Sequence, residues 1–283
     1  MYRLPIGDYV ERLTDWLTVN WAGFFGAIKE FLLGIITSFE WLFTIIPFYI
    51  MIILITLLAW KLANKGVAIF TLVGLLIVQS IDLWTETMQT LALVITSTLI
   101  ALIIGIPLGI WMSRSEAANK IIRPILDFMQ TMPAFVYLIP AVYFFDLGMV
   151  PGAVATIIFA MPPAVRLTNL GIRQVPKEVI EASKAFGSTD KQMLFKVQIP
   201  LAMPTILAGL NQTIMLSLSM VVISAMIGAS GLGITVLKGI TQLRVGEGFE
   251  GGLAVVILAM ILDRITQGLG QSKKKISKRE NSK

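Results

Sequence analysis

The sequence predicts an all-α, polytopic membrane protein with about seven transmembrane helices, on three observations. Hydrophobic residues make up 56% of the chain and charged residues only 14%, with a mean hydropathy of +0.81, outside the range of soluble domains. The apolar residues fall in runs near 20 residues, the length that crosses a hydrocarbon core of about 30 Å as a helix. Lys and Arg gather in short connections and in the tail Lys273-Lys274-Lys275…Lys278-Arg279, the distribution of cytoplasmic loops. That placement assigns the +6 net charge to membrane topology, so no nucleic-acid partner is expected. The absence of Cys and His excludes disulfides, thiolate or imidazole metal sites and His proton relays, and neither a metal nor a cofactor is expected.

Residues 1–41 mix Arg3, Asp8, Glu11, Arg12 and Asp15 with Trp16, Trp21, Phe24 and Phe25, and Lys29, Glu30 and Glu40 interrupt every apolar run. Such a segment is expected to lie in the membrane interface. A span over 22–43 is the competing reading, and it leaves two charges in hydrocarbon at about 2.5–3.5 kcal/mol each. The opening Met1-Tyr-Arg-Leu-Pro-Ile-Gly-Asp8 lacks the basic stretch and short apolar core of a cleavable signal.

Two peripheral spans, 42–60 and 66–82, are expected within residues 42–84. Lys61 and Lys65 put their connection on the inner side, and Asp82 and Glu86 mark the far side. The third span, 88–112, carries Gly105-Ile-Pro-Leu-Gly109, a small-x-x-x-small pair suited to close helix packing. Arg114, Lys120 and Arg123 then return the chain inside. The fourth, 125–145, contains Pro133 and Pro140, each expected to remove a helix hydrogen bond and bend the span. Arg123 and Asp127, four apart, are expected to pair. The fifth span, 151–167, is expected to end at Pro162-Pro163 and Arg166.

The sixth span, 203–227, holds Asn211, Gln212, Thr213, Ser217, Ser219 and Ser224, and Gly228-Ala-Ser-Gly-Leu-Gly233 closes it in a turn. Residues 234–251 are expected as an outer loop. The last span, 252–269, has Asp263 set to pair with Arg264 or the tail. Residues 85–270 thus form a core membrane domain, and 271–283 a basic, irregular cytoplasmic tail. Seven spans, counted back from that tail, put the amino terminus outside.

Residues 171–200, between the fifth and sixth spans, include the longest charged, helix-favouring stretch of the chain, Pro176 to Pro200. Pro176 suits the first position of a helix. Lys177, Glu181 and Lys184 bring opposite charges together on one face, and Val179, Ala182 and Phe186 form another. Gly187 is placed to take the left-handed conformation that closes a helix. Thr189 with Gln192 reads as a capping box opening a second helix. The expectation is a helix, a sharp bend and a second helix outside the bilayer, shaped as a docking knob.

Glu181-Ala182-Ser183, Gly187 and Val197-Gln198-Ile199-Pro200 resemble the "EAA" signature Glu-Ala-Ala-x3-Gly-x9-Ile-x-Leu-Pro, with Ser183, Val197 and Ile199 departing by small or apolar swaps. That signature marks the membrane subunits of binding-protein-dependent ABC importers. The resemblance implies a type I, MetI-like permease in a bacterial plasma membrane. It also implies that the loop inserts into a groove on a cytoplasmic ATPase, with Glu181, Ala182, Ser183, Phe186, Gly187 and Pro200 as the coupling residues. Its expected partners are two ATPase subunits, an extracellular substrate-binding protein and a second permease copy.

Gln130-Thr-Met-Pro-Ala-Phe-Val-Tyr-Leu-Ile-Pro140, Phe159-Ala-Met-Pro-Pro163 and Ser230-Gly-Leu-Gly233 are similar to the quaternary-amine branch of that family, whose substrates include glycine betaine. Trimethylammonium groups favour aromatic faces, which Phe135, Tyr137, Tyr143, Phe144 and Phe145 could offer. Met132, Pro133, Phe135, Tyr137 and Asn211 are the candidate pathway residues. No catalytic constellation is present, and no Gly-Lys-Ser or Gly-Lys-Thr run exists to build a P-loop. ATP is therefore expected on the partner ATPase subunit, and the chain is expected to be non-catalytic. Permeases for choline, carnitine, proline or methionine, and an ion-coupled carrier, are the alternative readings.

Overall fold

The computed structural model describes residues 5–280, and side chains of 5–268 apart from Ile6. An amino-terminal arm comes first, made of α1 (Ile6–Asn20) and α2 (Ala22–Ile45). A hairpin of α3 (Phe48–Leu62) and α4 (Lys65–Ser80) follows. Then come α5 (Trp84–Arg114), α6 (Glu116–Thr131), a 3-10 turn Ala134–Tyr137, α7 (Leu138–Phe145) and α8 (Met149–Arg173). Beyond α8 lie α9 (Lys177–Ala185), α10 (Asp190–Gln192), a π-helical turn Met193–Gln198, α11 (Ile199–Ala225), α12 (Leu232–Thr241) and α13 (Val245–Glu280).

The core is α5, α8 and α11 packed together. α5 and α8 run parallel, with Gly105 facing Ala164 and Gly109 facing Thr168. A Cβ at Gly109 would meet Thr168 Cβ and the Val165 carbonyl at 2.6 Å, so the expected small-residue pair lets two backbones touch. Pro162 and Pro163 do not end the fifth span as expected. Both are buried inside α8, which continues to Arg173. Proline disfavours the interior of an isolated helix, but here α5 and α11 pack over the Pro163–Ala164 backbone and keep lipid from it.

α2 runs antiparallel to the first half of α5. Leu32 shares a buried cluster with Ala101 and Val150, Ile36 with Leu93 and Ala153, and Phe43 packs on the cluster of Met88 and Leu91. α2 is apolar and long enough to cross a membrane, yet its buried face stops near the midpoint of α5. Lys29 meets Asp146 at 2.5 Å, and Glu40 accepts from Gln89 at 2.8 Å. The expected boundary at residues 41–42 moves: α2 carries through to Ile45, because Pro47 forces Ile46 into an extended conformation, ψ 124°. The hairpin then packs on α13 through Ala59, Leu75, Val78, Ile257 and Ile261.

The fourth span is more broken than expected. α6 and the α7 segment meet at 109° across Met132-Pro133. The large bend falls at Met132-Pro133, whereas Pro140 lies within α7, which follows the 3-10 turn directly. The expected Arg123–Asp127 pair gives way to a tertiary one: Arg166 donates to Asp127. Asp263 likewise accepts from Gln267 rather than pairing with Arg264.

The expected outer loop 234–251 is instead α12 and the start of α13. Leu232 N–H donates to Thr90 Oγ1 at 2.9 Å, and α12 buries Leu232, Gly233 and Gly239 against its neighbours. Helix also replaces the expected irregular tail as far as Glu280. Lys and Arg are good helix formers, and neither Gly nor Pro follows Gly270. Among the described residues, α2, α5, α8, α11 with its π-helical approach, and α13 are each long and apolar enough to cross a membrane. α6 with α7 makes a further span if the bent pair is one crossing, and α3 and α4 are shorter.

Candidate functional site

The expected knob is present between α8 and α11. Pro176 is the N-cap rather than the first helical residue, with φ −54° and ψ 137°, and α9 begins at Lys177. α9 ends in a Schellman motif. Gly187 takes φ +75° and its N–H donates to the Lys184 carbonyl at 2.9 Å, while Ser188 N–H reaches the Ser183 carbonyl at 3.2 Å. Ser183, where the signature has Ala, adds a hydroxyl contact of 2.5 Å to Ser188 Oγ. The capping box forms as expected: Thr189 Oγ1 accepts from Gln192 N–H at 3.3 Å, and Gln192 Oε1 accepts from Thr189 N–H at 3.0 Å.

The turn is hydrogen-bonded along its backbone and bare on its outside. No residue of α9 is buried, and Glu181 and Ala182 are exposed. Phe186 is 93% exposed at the tip, and Phe195 is 62% exposed on the return. Underneath, Leu194 is buried with Ile172, Ala202 and Ile206, which anchors the loop to α8 and α11. Pro200 is exposed near the start of α11, directly after the π-helical turn Met193–Gln198.

Two arginines join α8 to α6. Arg173, the last residue of α8, donates from Nη1 to Glu116 at 2.6 Å, from Nη2 to the Met112 carbonyl at 2.9 Å and from Nε to Asn169 at 2.9 Å. Arg166 donates to Asp127 near the far end of α6. Sequence reasoning missed both roles. Their signal was there: arginines seven apart on one helix share a face, and α6 is amphipathic with Glu116 and Asp127 along its polar side.

The pathway candidates divide. Met132 and Tyr137 lie in one apolar cluster with Phe159 and Met220. Tyr137 is 6% exposed, its hydroxyl donates to the Met129 carbonyl, and its ring stands edge-on to Phe159 at 6.2 Å. Pro133 and Phe135 are exposed at the corner. Asn211 is half-buried with Oδ1 unpartnered, about 13 Å along α11 from Met220. The other rings are occupied elsewhere: Phe144 stacks on Phe25 at 4.4 Å, Phe145 meets Phe25 edge-on, and Tyr143 donates to Asp15. The five aromatic side chains expected beside the bend therefore form no common cage.

Residues 101–271 match the family described as "Binding-protein-dependent transport system inner membrane component". The chain is 52% identical to the glycine betaine transport system permease protein OpuAB of Bacillus subtilis (strain 168), covering 96% of each. It is 52% identical to the glycine betaine/carnitine transport permease protein GbuB of Listeria monocytogenes serotype 1/2a (strain 10403S), over 96% of this chain and 97% of that one. Against the glycine betaine/proline betaine transport system permease protein ProW of Escherichia coli (strain K12) the identity is 51%, over 95% of this chain and 76% of that protein. Among solved structures, an inward-facing MetNI methionine ABC transporter shares the fold, with TM-score 0.57 and 22% identity over 66% of this chain and 92% of that one.

Proposed function

The chain belongs to the inner-membrane components of binding-protein-dependent transport systems, and from that premise we propose that it is the permease subunit of an ATP-driven importer for glycine betaine or a related quaternary amine. It is a multi-pass, non-catalytic subunit of a bacterial plasma membrane that works with a separate ATPase and a substrate-binding protein. One observation carries the coupling reading: a bonded, capped turn presents Phe186 at 93% exposure on a polar surface, directly between two core helices. An apolar tip held rigid outside the bilayer fits a groove on a partner protein. Glu181, Ala182, Ser183, Phe186, Gly187 and Pro200 make up that contact.

In this reading two permeases pair, each seated on one of two ATPases, and the knob and the carboxyl terminus are cytoplasmic. α3, α4, α5, α6 with α7, α8, α11 and α13 make seven crossings and put the amino terminus outside. α2 is left out of the count because its buried face reaches only Ala101, and Lys29 and Glu40 meet polar partners at that end of the molecule. Closure of the ATPases moves the knob, and α8 carries α6 with it through Arg173 and Arg166. The bend at Met132-Pro133 and the surface near Phe135, Tyr137 and Asn211 then change between inward-open and outward-open states. Each state is favoured by its own partner contacts, and no catalytic side chain is needed.

The test is uptake of labelled glycine betaine into vesicles carrying the complete complex, with competition by carnitine, choline, proline and methionine. Uptake is expected to need ATP and the binding protein, and to be competed best by trimethylammonium compounds. Uptake driven by an ion gradient without the ATPase would overturn the proposal.

A further inference from the structure

The tip of the α3–α4 hairpin and α13 line a half-open cavity of about 500 Å³ that the transport reading leaves unused. Lys61 and Asn64 from the hairpin, and Arg264 and Gln267 from α13, contribute its polar lining, and Val67, Phe70 and Met260 its apolar part. Among the described residues, neither Lys61 nor Arg264 has an acidic partner within 4 Å. Asp263, next to Arg264 in sequence, is held instead by Gln267 at 2.8 Å to both carboxylate oxygens. Two cations thus line one cavity without an ion pair of their own among the described residues.

Two further features describe what fills it. Trp60, adjacent to Lys61, is 53% exposed, the position of an aromatic residue at a membrane–water boundary. Val256, Met260 and Arg264 follow at i, i+4 and i+8 on one face of α13, and Val256 and Met260 are 52% and 41% exposed. An apolar track therefore leads from the basic rim toward the membrane interior. A free anion would use the rim alone, whereas an anionic lipid uses both rim and track.

We propose that this groove binds an anionic phospholipid of the inner leaflet, with the phosphate between Lys61 and Arg264 and an acyl chain along Met260 and Val256. The leaflet rests on the orientation given above; the lipid site itself does not depend on the substrate transported. An occupied site bridges the hairpin to α13.

The experiment is native mass spectrometry of the assembled complex released from nanodiscs of phosphatidylglycerol or phosphatidylcholine, comparing wild type, Lys61→Gln/Arg264→Gln and Lys61→Arg/Arg264→Lys. Wild type and the charge-keeping pair are expected to retain phosphatidylglycerol alike. The neutral pair should lose it roughly 25-fold, about fivefold per cation, with phosphatidylcholine unchanged. Equal retention by the neutral pair overturns the proposal, as does displacement of the lipid by millimolar inorganic phosphate. Should the neutral pair unfold at lower temperature, Met260→Trp decides. It keeps both cations and obstructs the track, and undiminished phosphatidylglycerol binding by that variant also overturns the site.

Discussion

Phe186 and Gly187 stand side by side and do opposite jobs. Phe186 touches almost nothing in its own chain, so Phe186→Ala is expected to leave the unfolding free energy within about 0.5 kcal/mol of wild type. If the ring is a contact anchor, the same change weakens association with the ATPase by more than about 1 kcal/mol, a fivefold or greater rise in Kd on titration of purified subunits. An unchanged Kd would remove Phe186 from the interface. Gly187 acts through its backbone. At φ +75° an L side chain costs on the order of 1–2 kcal/mol, more if β-branched, although nothing crowds the space around its Cβ. Gly187→Val should therefore distort the turn and uncouple the complex, with ATP hydrolysis retained and uptake reduced in proteoliposomes. Normal uptake would count against the coupling reading. Both residues were legible in sequence, because capping motifs and the left-handed glycine are set within a few residues of chain.

At the scale of elements, the tie between α6 and α8 is where movement of the knob meets the bent span. Its ion pairs are partly exposed, with side chains from 33% to 69% accessible at Arg173–Glu116, so each adds at most about 1 kcal/mol to stability. Their value is positional. Arg173→Gln is expected to shift thermal stability little while lowering uptake severalfold at constant ATPase affinity. A fall in stability that accounts for the whole uptake loss would reduce the arginine to a structural role. Sequence reasoning paired Asp127 with Arg123, its neighbour on α6. The structure pairs it with Arg166, 39 residues away, because the packing of α6 on α8 brings that arginine to the carboxylate. A four-residue spacing makes a contact available, and tertiary packing decides whether another donor is nearer.

For the whole molecule, sidedness is the open quantity with a direct readout. The chain lacks Cys, so single replacements report without background. In intact cells, Ser188→Cys is expected to resist a membrane-impermeant maleimide, and Val10→Cys to react with it. Reversal at Ser188 would end the coupling proposal, whereas reversal at Val10 alone would turn α2 into an eighth crossing. What the amino-acid sequence determined by itself was the membrane class, the approximate position of most long apolar helices and the build of the knob, since apolar runs and helix caps are local properties of the chain. Tertiary structure alone decided that α8 continues through Pro162-Pro163, that 232–241 is a helix, that α2 lies along half of α5, and which carboxylate each arginine meets. Those outcomes depend on which surfaces cover one another, and helices distant in sequence supply the covering.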